Sequence, residues 1–183
     1  MRYATLSLLL LCWMALGAAA FAGGDPHAIV LVDQQGRSFT LASLHGRPIV
    51  MTFVATRCTD ACPIADATFL KLQQRLETAK RDAVLLTVTL DPRYDTPFVM
   101  ARESAALGAD PNLWRLASGT PRNVEALMHA FGVVTEPDRN GVPDVHSTLI
   151  YVFDRNGRIS KRLLLSTNTV PDVLAAIAKA DRT

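Results

Sequence analysis

Two apolar runs of strand length constrain this chain more than any other feature: residues 49–55, Ile-Val-Met-Thr-Phe-Val-Ala, and residues 84–90, Val-Leu-Leu-Thr-Val-Thr-Leu. A strand with one face in water alternates apolar and polar residues, whereas a strand covered on both faces does not. Each run is followed by helical spacing. Ala65, Phe69, Leu72 and Leu76 recur on one face through residue 80, and Thr96 with Pro97 reads as the capped start of a helix that runs to Gly108. A further strand over residues 113–117 leads to a helix that Thr120 caps and Gly132 ends after Phe131.

The ends of the chain read as hairpins. Residues 28–33 and 37–40 flank Gln34-Gln35-Gly36, residues 146–153 and 158–165 flank Asp154-Arg155-Asn156-Gly157, and residues 170–180 form a last helix. Strands alternating with helices, followed by a terminal hairpin and helix, predict an α/β sandwich with a central mixed β-sheet flanked by helices.

The first residues have the pattern of an export signal. Arg2 supplies the positive charge, residues 6–16 the apolar core, and Ala20-Phe21-Ala22 a small-x-small cleavage site before Gly23. The expected division is a signal peptide over 1–22 and one domain over 23–183. The apolar core is too short to span a bilayer comfortably, so membrane contact is expected only through an uncleaved signal. Export implies a periplasmic or other oxidising compartment, and Cys12 is lost with the signal. A formal charge of +2 with no run of Lys or Arg excludes nucleic acid as an expected partner.

Cys58 and Cys62 remain, in Thr56-Arg57-Cys58-Thr59-Asp60-Ala61-Cys62-Pro63. Pro63 fits only the first helical turn, so the helix starts near Ala61 or Cys62 with Asp60 as its N-cap. That places both thiols at the positive end of a helix, with Arg57 adding a cation, and both are expected to gain acidity. A helical separation of four residues sets the alpha carbons about 6 Å apart, close enough for a disulfide or for one shared ion. A purely structural bridge is poorly placed here: closing a five-residue loop stabilises by roughly 2 kcal/mol, against about 4.7 for a hundred-residue loop. The end of a buried strand, on the loop into a helix, is where open α/β sheets bind and react.

Two thiolates select soft ions such as Cu(I), and an added imidazole tolerates Cu(II) as well. His27 lies near the mature terminus, His45 in a Gly-Arg-Pro turn and His129 on a helix; His146 stands at the mouth of a strand, after the polar loop from Glu136 to Gly141. Position alone makes His146 a candidate and assigns it nothing.

The chain resembles the Sco/SenC family of copper-handling, thioredoxin-fold proteins. The resemblance is carried by Leu41-Ala-Ser-Leu-His-Gly-Arg-Pro48 before the first buried strand, Cys58-x-x-x-Cys62-Pro63, Leu90-Asp91-Pro92-Arg93-Tyr94-Asp95-Thr96-Pro97, and Asp144-Val145-His146-Ser147. It implies a thioredoxin-like fold and copper, as Cu(I) or Cu(II), held by Cys58, Cys62 and His146. It also implies a partner: the copper-binding subunit of cytochrome c oxidase, or another copper or dithiol acceptor, whose dinuclear centre receives copper or has its cysteines reduced. Thr59 stands where the family usually has proline, and the family often carries a membrane anchor. The competing expectation is a thiol:disulfide oxidoreductase using Cys58 and Cys62 as a catalytic redox pair without metal, although thioredoxins have two residues between their cysteines and this chain has three.

Overall fold

The computed structural model describes residues 24–59, 61–144 and 148–180. Along these residues come β1 (Leu31–Asp33), β2 (Ser38–Phe39), β3 (Ile49–Val54), α1 (Ala61–Thr78), β4 (Val84–Thr89), α2 (Pro97–Leu107), β5 (Trp114–Ser118), α3 (Pro121–Phe131), β6 (Glu136–Pro137), β7 (Pro143–Asp144), β8 (Leu149–Phe153), β9 (Ile159–Leu164) and α4 (Thr169–Ala180). One sheet is ordered β2-β1-β5-β4-β3-β8-β9. Its centre is parallel, β3 against β4 and β4 against β5, and its flanks are antiparallel.

The two apolar runs are the central strands β3 and β4, and every residue of both is buried. Their side chains alternate between two cores, as a pleated strand requires. Ile49, Met51 and Phe53 of β3 meet Leu127 and Phe131 of α3 on one face. Val50 of β3 and Leu85 of β4 meet Phe69 and Leu72 of α1, Met100 of α2 and Ile177 of α4 on the other. The mixed sheet between helical layers matches the expected sandwich.

Helix boundaries follow the capping chemistry read from the chain. The Thr96 and Thr120 hydroxyls accept from the backbone N–H of Val99 and Asn123, each with proline in the next position. Gly108 and Gly132 end the same helices in the left-handed region, at φ 67° and 70°.

Three details differ from the sequence expectations. The first strand starts at Leu31, because Pro26–Ala28 form a 3-10 turn capped by Asp25. The supposed loop after Glu136 is a small hairpin of β6 and β7, whose turn is closed by the Asp138 carboxylate accepting from the N–H groups of Asn140 and Val142. The turn residue Gln34 is buried: its side chain donates to the Trp114 carbonyl at 2.9 Å and accepts from the Leu116 N–H at 3.0 Å. It serves β5 as strand β1 would if it were longer. The signal segment 1–22 lies outside the described residues; among those described, no helix is long and apolar enough to cross a membrane.

Candidate metal centre

The parallel strand β3 ends at Val54, and the chain turns at Ala55 to Thr59 before entering α1 at Ala61. Ala55 organises this turn from both sides. Its carbonyl accepts from the Cys58 N–H at 3.0 Å, and its own N–H donates to the Cys62 sulfur at 3.5 Å. The two cysteines are thereby folded toward each other, both free, with Cys58 packed against the cluster that holds Cys62. They differ in access: Cys62 is 3% exposed and packs with Val54 and Ala65, whereas Cys58 is only partly buried. The helix starts where Pro63 places it; its expected cap, Asp60, lies outside the described residues.

The expected acidity of both thiols is corrected for Cys62. Burial pushes this thiol well above the ordinary range, the hydrogen bond to Cys58 pushes further, and the charges of Cys58 and Asp66 add to it; only the Ala55 N–H works the other way. The magnitudes explain the outcome, since a helix terminus contributes about 1 kcal/mol or less at a surface, whereas full burial shifts a group by as much as 3–5 pKa units. The Arg57 side chain is engaged elsewhere. Its guanidinium lies 2.6 Å from the Asp91 carboxylate and 4.2 Å from the centre of the Tyr94 ring, which ties it to the loop after β4.

That loop braces the cysteine turn. Asp95 is fully buried and accepts from the Thr56 N–H at 3.2 Å, from the Thr56 hydroxyl and from the Thr89 hydroxyl, while the Asp91 N–H donates to Thr89 at 2.8 Å. Burial still holds the Asp95 carboxyl above the usual carboxylate range. The segment Leu90 to Pro97, noticed in the sequence, thus anchors the residues just before Cys58.

Beside the sulfurs opens a cleft of about 330 Å³, lined by Cys58, Cys62, Pro63, Asp66, Leu70 and Glu103 among others. Burial first, and Glu103 second, push the Asp66 carboxyl up to about 7; Glu103 is raised by burial and by the charge of Asp95. Neither acid stood out in the sequence. The available signal was the four-residue step from Cys62 to Asp66, which puts both on one helical face.

His146 lies outside the described residues. Among the described residues no group of three or more His, Cys, Asp or Glu side chains is placed to hold a metal. His45 and His27 face each other at 3.3 Å, before the first residue of β3, and His129 sits in the last turn of α3. The chemistry of the donor set nevertheless suits a soft ion: two adjacent sulfurs at the mouth of a cleft can turn toward one small cation.

The family model for SCO1/SenC matches residues 26–180. The chain belongs to the SCO1/SenC family. Among the relatives of this family, the SCO2-like protein of Rickettsia prowazekii is 28% identical over 141 residues, covering 74% of this chain and 67% of that protein. The structure of Bradyrhizobium japonicum ScoI with copper bound superposes with a TM-score of 0.69 at 26% identity, over 84% of this chain and 96% of that one. BsSco, in which a disulfide switch has been identified and which is described as a member of the Sco family of cytochrome c oxidase assembly proteins, superposes with a TM-score of 0.72 at 22% identity, over 84% of this chain and 91% of that one. The SCO1/SenC chain therefore shares the thioredoxin-like fold of these proteins, as its motifs implied.

Proposed function

We propose that this SCO1/SenC chain is an exported copper protein that carries one copper ion as cargo between Cys58, Cys62 and His146. The ion goes to the dinuclear copper centre of cytochrome c oxidase, or to another dithiol acceptor whose cysteines the chain also reduces. The observation that carries this is the meeting of two free thiols at the mouth of the central parallel strands. Membership of the family and the copper-bound relative support it. Two thiolates satisfy Cu(I), and an imidazole from His146 supplies the nitrogen donor that Cu(II) seeks.

Anaerobic titration of the reduced mature protein tests it: one Cu(I) per chain is expected, with high-affinity uptake abolished by Cys58→Ser, by Cys62→Ser and by disulfide formation. His146→Ala weakens Cu(II) more than Cu(I). Equal Cu(I) uptake by the reduced and disulfide forms removes the thiols from the site. Export is checked by fractionation and by N-terminal sequencing, where a mature chain beginning at Gly23 is expected.

One observation favours thiol:disulfide exchange without metal. Cys58 is reachable from solvent and Cys62 is buried behind it, as in a pair where one sulfur attacks and the other resolves. Oxidised and reduced dicysteine acceptors, offered separately to apo and Cu(I)-loaded protein, discriminate. Rapid catalytic disulfide turnover by the apo form, with no copper passed by the loaded form, overturns copper delivery.

A further inference from the structure

The cleft beside the sulfurs is walled by negative charge in a chain whose formal net charge is +2. Asp66 enters it from α1 and Glu103 from α2, and neither joins an ion pair among the described residues. Arg57, the cation next to Cys58 in the chain, is held by Asp91 and Tyr94. Partial burial of two carboxylates without a counter-cation is unfavourable, and both acids hold their protons more tightly than usual for that reason. A cation entering the cleft reverses the penalty.

Size and lining narrow the occupant. At about 330 Å³ the cleft is at the small end of ligand pockets. It suits one long side chain rather than a folded segment. Pro63, Ala67, Leu70 and Leu107 line it with apolar atoms, against which the methylene stem of a lysine or arginine packs while its charged head reaches the carboxylates. Cys58 lines the same space. Building on the dithiol role proposed above, we infer that Asp66 and Glu103 are specificity-determining residues: they select an acceptor that carries a lysine or arginine beside its own cysteine, the basic side chain entering the cleft as the two sulfurs meet.

The test reads sulfur reactivity and needs no copper. A Cys62→Ala protein is reacted at pH 8 and low ionic strength with single-cysteine peptides activated as 2-thiopyridyl disulfides, with Lys, Gln or Glu two positions from the cysteine. The Cys58 thiolate attacks the peptide cysteine sulfur, a mixed disulfide forms, the activated S–S bond breaks, and released 2-thiopyridone reports the rate. The Lys peptide is expected to react about tenfold faster than the Glu peptide, with a gap that closes as salt is raised. Adding Asp66→Asn and Glu103→Gln should bring the three peptides together once each rate is divided by that protein's rate with small uncharged dipyridyl disulfide, a ratio that separates selection from a change in Cys58 itself. The same peptide order in the triple variant, or no order in the parent, overturns the assignment. A protein that fails the copper titration can still show the lysine preference, and a copper binder can lack it, so the two proposals fall separately.

Discussion

Replacing Asp66 by Asn tests the electrostatics of the cleft through the stability of the whole domain. The Asp66 carboxyl is pushed from 3.8 to about 7 by burial and by Glu103, so the folded state binds its proton more tightly than the unfolded chain does. Stability from this group is fully present below its unfolded value and is lost as pH rises through the folded one. At about 1.4 kcal/mol per pKa unit, the shift of roughly three units sets a ceiling near 4 kcal/mol. Because the side chain keeps part of its contact with solvent, solvent screening brings the realised effect to about 1–3 kcal/mol. Asn carries no titrating proton and occupies nearly the same volume. Urea unfolding of the reduced, metal-free domain should therefore give wild type and variant similar midpoints at pH 4, and a variant more stable by about 1–3 kcal/mol at pH 8 with an unchanged slope. A constant offset between the two proteins across this range, or a variant that is weaker at pH 8, refutes the burial of an unpaired carboxylate. The Cys62 thiol, raised in part by the charge of Asp66, should also react faster with an alkylating agent in the variant at pH 8.

Phe69 is fully buried between α1 and the sheet, its ring 5.8 Å from that of Trp114, and Phe69→Ala is expected to cost about 3–5 kcal/mol by chemical denaturation. Thr96→Ala removes the hydroxyl that accepts from Val99 and should cost about 1 kcal/mol, with Thr96→Ser restoring most of it. Gln34→Ala leaves the buried Trp114 carbonyl and Leu116 N–H without their partner, and a loss of about 1–3 kcal/mol is expected, read as a lowered urea midpoint. A Gln34→Ala protein as stable as the parent shows that water replaces the side chain at β5.

Periodicity carried the architecture because the periods are local. Six buried residues in a row can be satisfied only by a strand with cover on both faces, and β3 and β4 have it. The caps at Thr96, Thr120, Gly108 and Gly132 needed nothing beyond their neighbours in the chain, and Pro63 sufficed to start α1. The spacing of Cys58 and Cys62 kept the two residues near each other, but Cys58 precedes α1, and the turn held by Ala55 rather than a helical period folds them together.

What the chain alone did not determine is the charge environment of those sulfurs, because desolvation and long-range pairing depend on elements far away in sequence. The acidity expected of Cys62 followed from its own helix, and it was reversed by burial against Val54 and Ala65. Arg57 stands next to Cys58 in the chain, yet the loop after β4 draws its guanidinium to Asp91 and Tyr94. Glu103 becomes a neighbour of Asp66 only when α2 packs beside α1 at the end of the sheet. Apolar pattern and turn chemistry act through a few adjacent residues and are written in the chain; a pKa or a counter-ion is set by whatever the folded molecule brings within a few ångströms, and only tertiary structure decides that.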